Sequence, residues 1–446
     1  MRASFFHIAD THLGYEQYGV RERFNDFSRV FWDITDDAIA HDIDFMVIAG
    51  DLFNKRAIDA QTLIHAIEGL KKLKERSIPV LAIEGNHDRS YYRDGISWLQ
   101  FLCYQGYITL LAPVMQNGAP QLAHWQADTM LGSYVDLLDG RLRVYGLPWQ
   151  GAATNRTMEG MAQALAEAHE EEQARGIEYR LLMMHTGVDG EVPRVQGLPT
   201  MSQFQALRQY VDYLALGHVH KPYEYDGWIY NPGSTETCSA EEVQWEDRGY
   251  YYVEIDTEPS EPDADSTHDK GCYHRAVRLE SKRRPYVRRD LRVDGLQEPE
   301  ELYERLLELC RRESSDYKEQ QKQPLVQIRL TGTLSFDPGT LDQPRMESIV
   351  TDHFQPLYVR IDNYTNDRDY LPDEGDLDGR DRSQWHELER RIFEQLVAGI
   401  DDRYLPEREQ WGVVLSELKQ RALDDEDPAQ IAQYLREKRA TLLKKL

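Results

Sequence analysis

The 446-residue sequence predicts an α/β protein in three parts: a large layered domain, a smaller α/β unit and a helical C-terminal segment. Three observations carry this. Short apolar runs alternate with amphipathic stretches through the first half of the chain, the signature of strands and helices in layers. Several of those runs stop abruptly at polar motifs rich in Asp, Asn and His. A second strand–helix alternation begins near residue 285, and helical stripes close the chain.

Taken in order, Ser4–Ala9 and Phe45–Ala49 are apolar runs of strand length. Between them Phe27, Val30, Phe31, Ile34 and Ile39 fit a helical stripe, and Thr62–Leu73 reads as a second amphipathic helix. Val80–Ile83, Leu181–Met184 and Tyr213–Leu216 are further strands, each running into a polar motif at its C-terminal end. Open α/β sheets place ligands at that edge. Tyr250–Ile255 and Tyr273–Leu279 alternate like paired strands, with an acidic, Pro-containing loop over 257–271 between them. The second unit holds a helix (Pro299–Arg312), a strand (Leu325–Leu330), a helix near Met346–Phe354 and a strand (Leu357–Ile361). Residues 367–383 read as an acidic linker. Three stripes follow: Trp385, Leu388, Ile392 and Leu396; then Trp411, Val414, Leu415 and Leu418; then Ile431, Leu435 and Leu442. These helices are too few to build a strong core alone, so a partner protein is expected to cover them. The expected boundaries are 1–284, 285–366, 367–383 and 384–446.

Composition narrows the class. A hydrophobic content of 41% with 10% aromatics fits a folded protein. No apolar run approaches the roughly 20 residues needed to span a bilayer. The first apolar stretch is short and interrupted by Asp10 and His12, unlike a signal peptide. A cytoplasmic location is expected. Cys103, Cys238, Cys272 and Cys310 are widely spaced with no CxxC pair, which points to reduced thiols. The net charge of −26 is unusual. An acidic surface argues against a polyanionic partner at low salt. At about 1 M salt the Debye length falls to roughly 3 Å, and the objection disappears. A salt-adapted source is therefore expected.

The chemistry lies in five strand-end motifs: Asp10-Thr11-His12, Gly50-Asp51, Gly85-Asn86-His87-Asp88, His185 and Gly217-His218-Val219-His220. Each alone is weak, since Gly-Asp pairs are mostly turns and a lone His is mostly structural. Five in order, each closing a strand, are not coincidence. They offer two carboxylates, an amide carbonyl and four imidazoles besides His87, a mixed N/O set suited to Mn, Fe or Zn rather than Ca or Mg alone. The pairs Asp10/His12 and His218/His220 point both side chains one way if strand conformation persists. Two such metals about 4 Å apart clamp a phosphate for in-line attack.

On these residues the sequence resembles the calcineurin-like metallophosphoesterases, and within them the Mre-eleven/SbcD nucleases of DNA double-strand break repair. The closer likeness rests on Ile8–Gly14, Ala49–Phe53, Ile83–Asp88, Gly217–His220 and Asn231-Pro232-Gly233-Ser234, and covers about residues 1–255. The resemblance implies a four-layer metallophosphoesterase β-sandwich flanked by helices, a smaller α/β capping domain that contacts DNA, and a helical segment binding a Rad-fifty-type coiled-coil ATPase. It implies two Mn2+ per subunit, with Mg2+, Fe2+ or Zn2+ as alternatives, and a homodimer acting on DNA ends. Dimer contacts would come from helices of the large domain, with Tyr91–Tyr104 carrying Trp98 and Phe101 as the candidate. By the same likeness Asp10, His12 and His220 hold the first metal, Asn86, His185 and His218 the second, and Asp51 bridges them. His87 acts as general acid with Asp88 orienting its ring. Asn54 departs from the pattern, which often has His there, and puts exonuclease cleavage in question. Arg21, Arg23, Arg56, Arg89 and Arg93, with Tyr15, Tyr18, Tyr91 and Tyr92, are candidate DNA contacts. Two other readings stay open: a phosphatase or phosphodiesterase for substrates other than DNA, and a DNA-end tether with weak catalysis.

Overall fold

The structure is a computed structural model that describes residues 1–91, 95–116, 118–193, 197–258, 273–317, 322–367, 406–423 and 428–442, with isolated positions at 390, 393–394, 396–397 and 426. It divides into two compact units, Met1–Arg289 with Leu309–Ile328 and Glu347–Ile361, and Asp290–Glu308 with Arg329–Met346 and Asp362–Leu446.

In chain order the large unit begins β1 (Arg2–Ile8), α1 (Arg21–Ala40), β2 (Phe45–Ile48), α2 (Ala60–Glu75), β3 (Val80–Ala82), α3 (Trp98–Tyr104) and β4 (Thr109–Leu110). A small hairpin of β5 (Val114–Gln116) and β6 (Ala119–Gln121) follows, then β7 (Tyr134–Leu137), β8 (Leu142–Leu147), α4 (Thr154–Arg175), β9 (Tyr179–His185), α5 (Met201–Gln205) and β10 (Tyr213–Gly217). The run closes with β11 (Tyr223–Tyr225), β12 (Ile229–Asn231), β13 (Gly249–Asp256) and β14 (Tyr273–Glu280).

These strands form two six-stranded sheets, ordered β14-β13-β1-β2-β3-β4 and β11-β12-β10-β9-β8-β7. In the first, β1, β2, β3 and β4 run parallel. In the second, β8, β9, β10 and β12 run parallel. The two-residue period of each strand builds the layers. Phe5, Phe45, Val47 and Leu81 face Leu181, Met183, Tyr213 and Ala215 of the opposite sheet. Their neighbours Phe6, Ile8, Met46 and Ile48 face outward onto Val30, Phe31 and Ile34 of α1 and Leu70 of α2. On the far side Leu182, Met184, Leu214 and Leu216 pack on Met158, Met161 and Leu165 of α4. The result is helix–sheet–sheet–helix, the expected four-layer sandwich, held by apolar side chains worth about 1.5–3 kcal/mol each on full burial. Capping fixes where helices start: Asp59 accepts from the Thr62 amide at 2.7 Å, and Ser97 and Gln100 form a reciprocal box at the start of α3.

The paired strands expected around residues 250–279 are β13 and β14, antiparallel with Tyr250 opposite Leu279, and β13 in turn pairs antiparallel with β1. The acidic loop between them falls mostly outside the described residues. The helix expected over 91–104 starts only at Trp98, and Trp98 and Phe101 are half-buried against the outer core.

After these come β15 (Tyr286–Arg292), α6 (Pro299–Glu313), β16 (Leu325–Leu334), α7 (Gln343–Phe354) and β17 (Tyr358–Asp367), with the three strands in the order β15-β16-β17. In the second unit helices Arg408–Leu423 and Pro428–Leu442 pack on each other, joining Trp411, Val414 and Leu442 with Val397 in a small cluster. Trp385, Leu388, Ile392 and the linker beyond residue 367 lie outside the described residues. Among the described residues no helix is long and apolar enough to cross a membrane. Cys103, Cys238 and Cys310 are free thiols.

Candidate metal centre

The parallel order of both sheets puts the C-terminal ends of β1, β2, β3, β9 and β10 along one edge of the sandwich. All five sequence motifs leave the sheets there. The backbone turns sharply as it does so: Asp10, His12, Asp51 and His218 have φ values of 52°, 46°, 52° and 87°. Such left-handed conformations cost about 1–3 kcal/mol each and concentrate at functional sites. They also correct the sequence expectation that Asp10/His12 and His218/His220 stay in strand conformation. Two glycines make the crowding possible. A Cβ on Gly50, itself at φ 93°, would strike the His185 imidazole, and one on Gly85 would strike the Asp51 carboxylate.

The seven expected ligand residues converge. Asn86 Oδ1 lies 2.9 Å from His218 Nδ1 and 3.2 Å from His185 Nε2. His185 Nε2 is 3.3 Å from Asp51 Oδ2. On the other side His12 Nε2 and His220 Nε2 face each other at 3.1 Å, and His220 Nε2 is 3.8 Å from Asp10 Oδ1. Ligand-type atoms of Asp51, His185 and His218 lie within 4.8 Å of one another, and so do those of His12, Asp51 and His87. Asp51 therefore belongs to both halves, as a bridging carboxylate must. His12 Nδ1 is buried with no hydrogen-bond partner. Two imidazole nitrogens facing each other at 3.1 Å, beside two buried carboxylates, fit a cation-binding site and not a self-sufficient hydrogen-bond network.

The electrostatics of the metal-free cluster differ from residue to residue. Burial pushes His12 and His218 down to about 3, leaving neutral rings ready to ligate. Burial raises the Asp10 carboxyl to about 6. For His185 burial alone would lower the ring, but the Asp51 carboxylate overrides it and lifts it to about 9. His185 Nδ1 donates to the Ala49 carbonyl at 2.7 Å, which reserves Nε2 for the centre.

Three supporting residues were not singled out by the sequence. Glu242, in a 3-10 turn over 240–244, accepts from His220 Nδ1 at 2.7 Å and is itself held by Arg248 and by the Ser234 hydroxyl at 2.8 Å. Cys238 brings its sulfur close to His12 and His220. Asn231, noted only as part of a turn, donates to the Val219 and Lys221 carbonyls at 2.6 and 2.8 Å and so brackets His220. Only the Asn231–Ser234 motif hinted at this loop. Glu242 carries no sequence signal, because its role depends on where the chain folds back.

His87 lies beside His12 and Asp51, but its ring is not held by Asp88 as expected. The expected Asp88–His87 dyad is replaced: the Asp88 carboxylate accepts from the backbone amides of Leu52, Phe53 and Gly85 at 3.3, 3.0 and 2.9 Å. Both of its oxygens are engaged by the loops that carry Asp51 and Asn86. The His87 ring is oriented by the Asn54 carbonyl, 2.6 Å from Nδ1, and its amide donates to Asp51 Oδ1 at 2.9 Å. Position 54 thus acts through its main chain, which any residue supplies.

Among the candidate DNA contacts, Arg23 is corrected. It is fully buried in an ion network with Asp26 and Glu236, and Arg284 closes the same network onto Asp26. Arg89 is exposed with its guanidinium 5.6 Å from the Trp149 ring, and Arg56 reaches the Asn86 carbonyl at 3.4 Å. Arg21 packs over Phe24, Tyr15 packs on Phe27, Tyr18 stacks on Tyr358, and Tyr91 is exposed. Tyr92 and Arg93 lie outside the described residues.

The calcineurin-like phosphoesterase family matches residues 3–222. The chain is similar to the DNA double-strand break repair protein Mre11 of Archaeoglobus fulgidus, 32% identical over 253 residues, which are 54% of this chain and 51% of that one. It is similar to the protein of the same name from Haloferax volcanii, 30% identical over 254 residues, 56% of this chain and 48% of that one. The chain thus spans about half the length of these curated relatives. Among solved structures, the calcineurin-like phosphoesterase YfkN of Bacillus subtilis superposes on 63% of this chain and 90% of its own at 14% identity, with a TM-score of 0.38.

Proposed function

The chain carries a calcineurin-like phosphoesterase domain over residues 3–222, and from that premise we propose that it is a metal-dependent phosphodiesterase acting on DNA ends, a nuclease of double-strand break repair. The observation that carries the reading is the convergence of Asp10, His12, Asp51, Asn86, His185, His218 and His220 on one sheet edge, with Asp51 shared by both halves. Asp10, His12 and His220 would hold one metal and Asn86, His185 and His218 the other. A pair of dications held by these residues would supply an activated water nucleophile and charge neutralisation at the phosphate. Mn2+ is the first candidate for the native metal, with Mg2+, Fe2+ or Zn2+ as alternatives at either half.

The protein's own residues do the rest. Asn54 fixes the His87 ring so that Nε2 is free to face the leaving oxygen, where an imidazolium donates a proton and offsets developing charge. Asp88 keeps the 51–54 and 85–88 loops in register, so that His87 and Asp51 stay in one geometry. Arg89, exposed beside these loops, is placed to meet a backbone phosphate. Residues 285–366 would cap the site and contact DNA, residues 367–383 would link, and residues 384–446 would bind a Rad-fifty-type ATPase. A homodimer in the cytoplasm of a salt-adapted cell completes the proposal; at −26 the chain needs high ionic strength to approach DNA without repulsion.

The test is cleavage of linear and hairpin DNA by the full chain, with Mn2+ or chelator, from low to molar salt. Chelator-sensitive cleavage is expected. Hydrolysis of a chromogenic phosphodiester without any DNA cleavage would overturn the DNA reading and favour another phosphodiester substrate.

A further inference from the structure

The half of the centre formed by Asp10, His12 and His220 has one more donor close by. Ligand-type atoms of His12, His220 and Cys238 all lie within 4.8 Å of one another. Atoms sharing one tetrahedral Zn2+ stand about 3.3–3.8 Å apart, so these three are at most about 1.5 Å further from one another than co-ligands would be.

The cysteine is not there by slack in its loop. Its amide donates to Glu242 Oε2 at 3.0 Å, and its carbonyl accepts from Gln17 Nε2 at 2.9 Å. The other oxygen of Glu242 holds His220 Nδ1 at 2.7 Å. One carboxylate therefore fixes both the imidazole and the backbone that carries the thiol. The thiol interacts with the His220 ring and makes a long contact to the Glu236 carbonyl, at 3.5 Å. The His12 ring of this cluster presents Nε2 to His220 and has a buried Nδ1 with no hydrogen-bond partner.

We propose that Cys238 is an auxiliary thiolate ligand of the Asp10/His12/His220 half, making that half prefer thiophilic dications such as Zn2+, Co2+ and Cd2+ over Mn2+. The inference rests on the dinuclear reading above. Soft sulfur favours these ions, whereas Mn2+ prefers oxygen. On ligation the S–H proton leaves to solvent as the sulfur–metal bond forms, with no change of oxidation state. Among the described residues, the other half, with Asn86, His185 and His218, has no cysteine in its cluster. The two sites would thus load with different metals from a mixed pool.

The experiment is a Co2+ titration of the metal-free full chain and of Cys238→Ser, followed by absorption spectroscopy. The unaltered chain should bind two Co2+ and show a thiolate-to-cobalt charge-transfer band in the near ultraviolet. Cys238→Ser should keep two Co2+ and the visible bands but lose the charge-transfer band. Its preference for Cd2+ over Mn2+ should fall by about tenfold or more. Two bound Co2+ with no such band in the unaltered chain would overturn the proposal while leaving the dinuclear reading intact. A band that persists in Cys238→Ser would overturn it as well. Failure to bind Co2+ at all would overturn both. Should the variant not fold, cadmium NMR of the unaltered chain decides: a strongly deshielded thiolate-bound resonance beside an N/O-bound one is expected, and two N/O-type resonances would refute thiolate ligation.

Discussion

Replacing Asp88 separates two accounts of the residue beside His87. A catalytic dyad would make Asp88→Ala an activity mutant with normal stability. The geometry says otherwise. The carboxylate is 2% exposed and accepts from three backbone amides, two at 2.9 and 3.0 Å and one at 3.3 Å. Removing it leaves those amides buried in the loops that carry Asp51 and Asn86. Each buried donor left without a partner costs about 1–3 kcal/mol. Counting the two short bonds at about 2 kcal/mol each gives about 4 kcal/mol, a large share of the roughly 5–15 kcal/mol that holds a domain together. Asp88→Asn keeps one acceptor oxygen and should lose about half as much. The assay is urea unfolding of the metal-free chain, with m and midpoint fitted for each variant. The expected order of stability is wild type, then Asn, then Ala. Unchanged midpoints with lost cleavage would refute the scaffold role and restore the dyad.

Other substitutions probe the remaining parts. His87→Ala should keep both metals and lose at least about a hundredfold in cleavage, the scale of general-acid catalysis; loss of a metal by elemental analysis would make His87 a ligand, as its place near His12 and Asp51 allows. Glu242→Gln should weaken one of the two metal sites by about 10–100-fold, because His220 loses the carboxylate on Nδ1; calorimetric metal titration showing two unchanged sites would contradict this. Asn54→Ala should leave hydrolysis of a small phosphodiester within about twofold of wild type, since the carbonyl that holds His87 remains. A tenfold loss would show that the side chain is needed.

The sheets and the motifs that converge at their edge were legible because both are local. Phe5 and Phe6 announce a strand between two apolar layers, Asp10, Asp51 and Asn86 come within four residues of a strand's end, and His185 is the last residue of β9. What escaped is what depends on chain return. Glu242 supports His220 from 22 residues away in sequence. Arg23 looked like a DNA contact next to a motif loop, but Glu236, more than 200 residues on, buries its charge. Asp88 adjoins His87 in sequence, which suggested a dyad, yet the tight turn leaves its carboxylate facing amides instead. The segment from residue 109 to 175 has short strands broken by turns and was not resolved into elements from periodicity; it supplies β4 to β8 and α4.

The central claim is a two-metal centre bridged by Asp51. Its most direct test is the metal content of the full chain and of Asp51→Asn, by elemental analysis after loading with Mn2+ and removal of the unbound ion, paired with DNA cleavage by the same samples. The account predicts two metals per chain for the unaltered protein, and fewer than two together with abolished cleavage for Asp51→Asn. A single metal in the unaltered chain, or full loading and full cleavage in Asp51→Asn, would contradict it.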